Sequence, residues 1–77
     1  EIFSNELYRR LFKVIDELPP RQREIFLAYM EGKSNADIAE AMHIKVDTIR
    51  VQKKRALKTL RGKISREELI LLLLLTI

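Results

Sequence analysis

Residues 34–61, SNADIAEAMHIKVDTIRVQKKRALKTLR, decide how this chain folds. The stretch predicts a short helix, a tight turn and a longer basic helix. Ser34 has the chemistry of an N-cap, and Asp37 three residues on comes close to a capping box. Ile38, Ala39 and Met42 fall on one helical face. The turn is His43-Ile44-Lys45. In the second helix Val46, Ile49, Ala56, Leu57 and Leu60 form a narrow apolar stripe, with Asp47, Val51, Lys54 and Lys58 far round from it. Gly62 then stands where a left-handed helix cap favours glycine.

Three positions separate this pair of helices from an ordinary αα-hairpin and point to a DNA-reading helix-turn-helix. Ala39 is small where the two helices must cross closely. His43 falls at the sharp turn, in a position that calls for positive φ; histidine is among the non-glycine residues that tolerate it. Ile49, ten residues after Ala39, anchors the second helix.

Charge is the second argument. Residues 43–63 carry Lys45, Arg50, Lys53, Lys54, Arg55, Lys58, Arg61 and Lys63 against Asp47 alone, a net +7. Residues 1–42 carry six basic and eight acidic groups, and residues 64–77 one basic and two acidic. A net charge of +4 therefore conceals a polarised molecule. Such a patch fits a phosphate-binding surface better than a solvated lysine face, on which charge is scattered.

The 77 residues predict one small all-α domain, four helices containing the helix-turn-helix over residues 1–61 and a hydrophobic helical tail over 62–77. A domain this small buries about 60% of the surface its unfolded chain exposes. There is no cysteine, hence no disulfide framework or thiolate metal site. One histidine and scattered carboxylates predict no metal site. No Gly-rich phosphate loop, nucleophile elbow or catalytic constellation is present, and no cofactor is expected. The first residue is Glu1 rather than Met, as in a fragment, and no signal-peptide pattern precedes the first helix. The apolar run 69–75 is far shorter than the ~20 residues that span a bilayer.

A first helix is expected over residues 2–18, from Leu7, Leu11, Ile15 and Leu18 with Tyr8 and Phe12 beside them. Ser4 is its candidate N-cap, which leaves Glu1 to Phe3 as the end of a linker. Pro19-Pro20 breaks it and opens the next helix, over residues 20–31, because proline suits a first helical turn. Ile25, Phe26, Tyr29 and Met30 are that helix's apolar face, core residues rather than a base-stacking platform, and Gly32 closes it. Two positions fit less well. Lys53 lies on the same side as Val46 and Ile49, where it snorkels at the core's edge. Lys45 holds an N-cap that Ser or Thr would fill better, with Asp47 and Thr48 in the first turn as compensation.

In the tail, residues 65–68 (SREE) predict a capping box, and residues 69–77 are apolar on every side. A helix apolar all round is buried somewhere. The expected hosts are the groove between the first two helices, a second copy of the chain, or a partner. Self-association through Leu69 to Leu75 is the favoured reading, and packing within the chain is its alternative.

At LPPRQREIF (residues 18–26) and over residues 34–61 the chain resembles the C-terminal domain, region 4, of bacterial RNA polymerase sigma factors, most of all the extracytoplasmic-function group. That group's "LPxxxRxxF" opening, acidic-Gly loop, "IAE" helix and "TV…RALxxLR" recognition helix read here as residues 18–26, Glu31-Gly32, Ile38-Ala39-Glu40 and Thr48-Ile49 through RALKTLR (residues 55–61). The resemblance covers residues 7–61. The departures are His43 for glycine, Lys45 for serine and Lys53 for an apolar residue.

The resemblance implies a cytoplasmic, non-enzymatic protein that recognises the promoter −35 element. Its recognition helix would enter the major groove. Its first helices would grip the flap of the polymerase β subunit, and an anti-sigma factor would cover either surface. Helix phase and the family pattern place Arg50, Val51 and Lys54 towards base edges and Lys45, Thr48, Arg55 and Lys58 towards phosphates, with Asp47 on the same DNA-binding face. The LuxR-type effector domain is similar in its four-helix form, and Gly32-Lys33-Ser34-Asn35 is similar to its "GxSN" loop. A helical interaction or oligomerisation module is the reading from another class.

Overall fold

A computed structural model describes residues 4–76, which form five α-helices and, among the described residues, no strand. They are α1 (Asn5–Asp16), α2 (Pro20–Met30), α3 (Asn35–Met42), α4 (Val46–Arg61) and α5 (Arg66–Leu75). The expected helix start at residue 2 and the linker end at Glu1 to Phe3 lie outside the described residues.

Each boundary has a local cause. Ser4 caps α1, its Oγ accepting from the Leu7 amide at 3.2 Å. The helix stops at Asp16, two residues earlier than expected, because its last turn tightens. The Glu17 and Leu18 amides bond to the Val14 and Ile15 carbonyls, three residues back. Leu18 also precedes a proline, which disfavours helical backbone. Pro20 opens α2 at its first turn. At the far end Gly32 takes φ 88, and the Gly32 and Lys33 amides bond back to the Tyr29 and Ala28 carbonyls. That pairing is a Schellman cap, for which glycine carries no steric penalty.

Gly62 behaves otherwise. Its φ is −78, right-handed, and α4 unwinds through three-residue turns: the Gly62 and Lys63 amides bond to the Thr59 and Leu60 carbonyls. The expected left-handed cap is therefore corrected. Glycine here ends the helix through its poor helix propensity, without the positive φ.

The elongated shape, 40 × 20 × 15 Å, follows from two apolar clusters set along α2 and α4. One holds Ile25, Ile38, Ala39 and Ile49, the meeting of α2, α3 and the start of α4. The other holds Leu7, Leu11, Ile15, Leu18, Phe26, Ala56, Leu60, Leu71 and Leu72, the meeting of α1, α2, the end of α4 and α5. Ile25 and Phe26 are adjacent in sequence and serve different clusters. Phe26 is wholly buried, and its ring is tilted 60° to that of Tyr29 at 6.0 Å.

The tail packs within the chain. Leu71 and Leu72 are core residues against α1, Leu69 and Leu75 are half-buried, and Ile70, Leu73 and Leu74 face out. Intermolecular contact is therefore not needed to shelter the buried leucines. The capping box is half made. Ser65 Oγ accepts from the Glu68 amide at 3.2 Å, while the Glu68 carboxylate turns to Arg10 of α1, 3.7 Å away.

Candidate nucleic-acid interface

The helix-turn-helix is α3, the turn 43–45 and α4. Ser34 caps α3, its Oγ accepting from the Asp37 amide at 3.1 Å. Ala39 is 6% exposed, so there is no room for a longer side chain between α3 and α4. Ile49 and Ile38 close the seam behind it.

His43 adopts φ 58, ψ 42, the only positive φ outside glycine among the described residues. The His43 amide bonds to the Glu40 carbonyl and the Ile44 amide to the Ala39 carbonyl at 3.0 Å. The second Schellman cap of the molecule is thus built on histidine. The turn then passes to Lys45, extended at φ −72, ψ 148, which is the N-cap of α4 without a side-chain hydrogen bond. Asp47 assists the helix start by charge alone.

Along α4 the division between inside and outside follows helix phase, about 100° per residue. Ile49, Ala56 and Leu60 are buried. Lys45, Asp47, Thr48, Arg50, Val51, Lys54, Arg55 and Lys58, the eight residues expected at DNA, are all exposed, and from Asp47 onwards they share one outward arc of the helix. Val51 is 45% exposed, an apolar side chain among charges. Lys54, Lys58 and Arg61 converge around Leu57 in a shallow groove. Arg50 donates from Nη1 to Asp47 Oδ1 at 3.0 Å, one turn back.

Lys53 stands apart from this face. Its Nζ donates to Asn35 Oδ1 at 2.8 Å and lies 3.8 Å from the centre of the Tyr29 ring. Burial pushes its pKa below the usual lysine value. The expected snorkelling is thus a bridge from α4 to α2 and the start of α3, and it takes one cation out of the basic patch. Sequence reasoning placed Lys53 at the seam but missed Asn35, since nothing marks an asparagine eighteen residues away as a partner.

Two negative features bear on chemistry. Among the described residues no group of His, Asp and Glu is arranged to hold a metal ion, and no helix is long and apolar enough to cross a membrane.

A search of curated proteins and one of solved structures returned no match. The family model for sigma-70, region 4 matches residues 8–60, from the second turn of α1 to the end of the basic helix. The match covers α3, its cap at His43 and all of α4 but Arg61. The chain therefore belongs to the sigma-70 region 4 family, DNA-binding, non-enzymatic domains that recognise the promoter −35 element in transcription initiation.

Proposed function

We propose that this domain serves a sigma factor of the extracytoplasmic-function group and reads its promoter by laying α4 in the major groove. The observation that carries the reading is the exposed arc of α4, a row of cations aligned on one side of a helix whose other side is core. In this reading Arg50, Val51 and Lys54 face base edges. Arginine or lysine on guanine supplies ~1–3 kcal/mol of discrimination, and an apolar side chain suits the thymine methyl. Lys45, Thr48, Arg55 and Lys58 reach phosphates. Lys45 fits that role, because the uncapped start of α4 leaves backbone N–H groups and a cation on the same side.

The polymerase contact belongs to the same proposal. The charged arc is reserved for DNA, so the β-subunit flap binds the surfaces of the first helices. Between α2 and α3, Leu27, Ala28, Ala41 and Met42 form an apolar hollow rimmed by Glu24, Glu31 and Lys33, which supports a protein contact there. Exposed Ile70, Leu73 and Leu74 support a second contact, with an anti-sigma factor or another copy of the chain. In this reading α5 belongs to the folded domain through Leu71 and Leu72, only its outer apolar side chains serve as a contact surface, and the domain works in the cytoplasm where the promoter is.

The test is binding of the chain to a promoter library at two salt concentrations, with and without the flap. Arg50→Ala should erase preference at one base position, and Lys58→Ala should weaken all sites alike and lower the salt dependence. An even loss across the library from both variants would overturn these roles. For the tail, Leu74→Lys is a better probe than truncation, since truncation removes Leu71 and Leu72 from the core. Unchanged sedimentation of wild type and variant across concentration would exclude self-association.

A further inference from the structure

The outward arc of α4 contains a single acid, and it is paired. Asp47 is 88% exposed at its side chain, and its Oδ1 accepts from Arg50 Nη1 at 3.0 Å. Every other charged group on the arc is a cation that any phosphate attracts regardless of sequence. A carboxylate on a surface meant for DNA works against that attraction. Asp47 is the one acid in the first turn of α4 and favours the helix dipole there, but that role does not call for a pairing with Arg50. The ion pair in itself is too exposed to contribute much to folding.

We propose that Asp47 is a positioning residue for base readout. Its Oδ1 holds one arm of the Arg50 guanidinium and leaves the remaining N–H groups of the fork aimed outward, in the geometry that meets guanine O6 and N7. Its charge also makes an arrangement without guanine opposite Arg50 unfavourable, because the carboxylate is then brought near phosphates with its partner unsatisfied. Affinity for arbitrary DNA is lowered and discrimination between sequences is raised. The inference rests on the reading that α4 enters the major groove.

The experiment measures binding of the whole chain to a randomised duplex library and to one non-cognate duplex. It compares wild type, Asp47→Ala, Asp47→Asn, Arg50→Ala and the Asp47→Ala/Arg50→Ala double variant. Asp47→Ala should bind the non-cognate duplex a few-fold tighter and lose about tenfold in guanine preference at one position, the scale of a single side-chain contact to a base. Asp47→Asn keeps an acceptor oxygen for Arg50 but no charge, so it should gain non-cognate affinity while retaining part of the preference. In the Arg50→Ala background the Asp47 substitution should leave base preference unchanged. Base preference is a readout that a merely helix-stabilising role would not move. An Asp47→Ala variant that melts lower yet keeps its base preference overturns the inference and leaves the groove reading intact. A wild type with no salt-dependent, sequence-selective binding overturns both.

Discussion

The two ends of this molecule solve opposite problems with the same pair of helices. At the α3 end, four buried residues, Ile25, Ile38, Ala39 and Ile49, support a surface of cations. At the α1–α5 end, nine buried residues support a surface on which Ile70, Leu73 and Leu74 stand 45–54% exposed. The charged end has the smaller core and a solvated outer face. The apolar end has a large core and still leaves leucines over. Surface character and core size are therefore set separately along one helix, α4, whose inner face passes from the smaller core at Ile49 to the larger at Ala56 and Leu60 while its cationic arc runs on from Arg50 to Lys58.

The largest expected effect comes from the cores. Leu72→Ala and Ile49→Ala each empty a wholly buried site and should cost ~2–5 kcal/mol. Both should lower a single thermal transition of the whole chain. Two separate transitions in either variant, read by circular dichroism, would show that the ends are independent. Next is Ala39→Leu, which overpacks the α3–α4 crossing at ~1–3 kcal/mol. An unchanged melting midpoint would mean that the helices do not approach closely there.

The two Schellman caps sharpen the comparison. Gly32 at φ 88 has open space around its missing Cβ, so only the backbone conformation demands glycine. Gly32→Ala should lose ~1 kcal/mol, and His43→Gly should gain up to about as much, less the unfolded-state entropy that glycine adds. Equal and opposite shifts in midpoint would make the caps equivalent. A loss on His43→Gly would show that the imidazole contributes something beyond the turn.

Much of this was legible because it is periodic or stereochemical. Ser4, Ser34 and Ser65 sit one residue before a helix and cap it as their chemistry suggests. Ala39, His43 and Ile49 marked the crossing because their sizes and backbone preferences are local properties. Gly62 misled because glycine at a helix end permits a left-handed cap without requiring one. The inner side of the tail was not legible, for a different reason. Seven apolar residues in a row have no polar face from which to read orientation. Only the surface of α1, brought alongside by the fold, selects Leu71 and Leu72 as the inner side. The phase of the basic arc of α4 was readable, whereas the Arg50–Asp47 pairing and the Lys53–Asn35 bond depend on rotamers and on separations that sequence pattern does not encode.

The smallest expected effect concerns Lys53, which ties the charged end to α2. Its folded-state pKa lies below the 10.5 of an ordinary lysine, with burial as the cause. A lowered folded pKa means that the unfolded chain binds the proton more tightly, so stability rises as pH climbs through the folded value towards 10.5. Relative to Lys53→Met, the wild type should gain stability over that window and show no such difference in slope near neutrality. Parallel stability curves through pH 10.5 would sink the assignment.

Because α2 and α4 each place side chains in both clusters, opening either end strips part of the packing from both helices. Slow amide hydrogens are the consequence. The N–H groups of Ile49 and Leu60 sit eleven residues apart in different cores, yet each should exchange with solvent deuterium only when the entire chain unfolds, at one shared free energy. The reading helix would then have no private route to disorder, and it would meet its promoter already in shape.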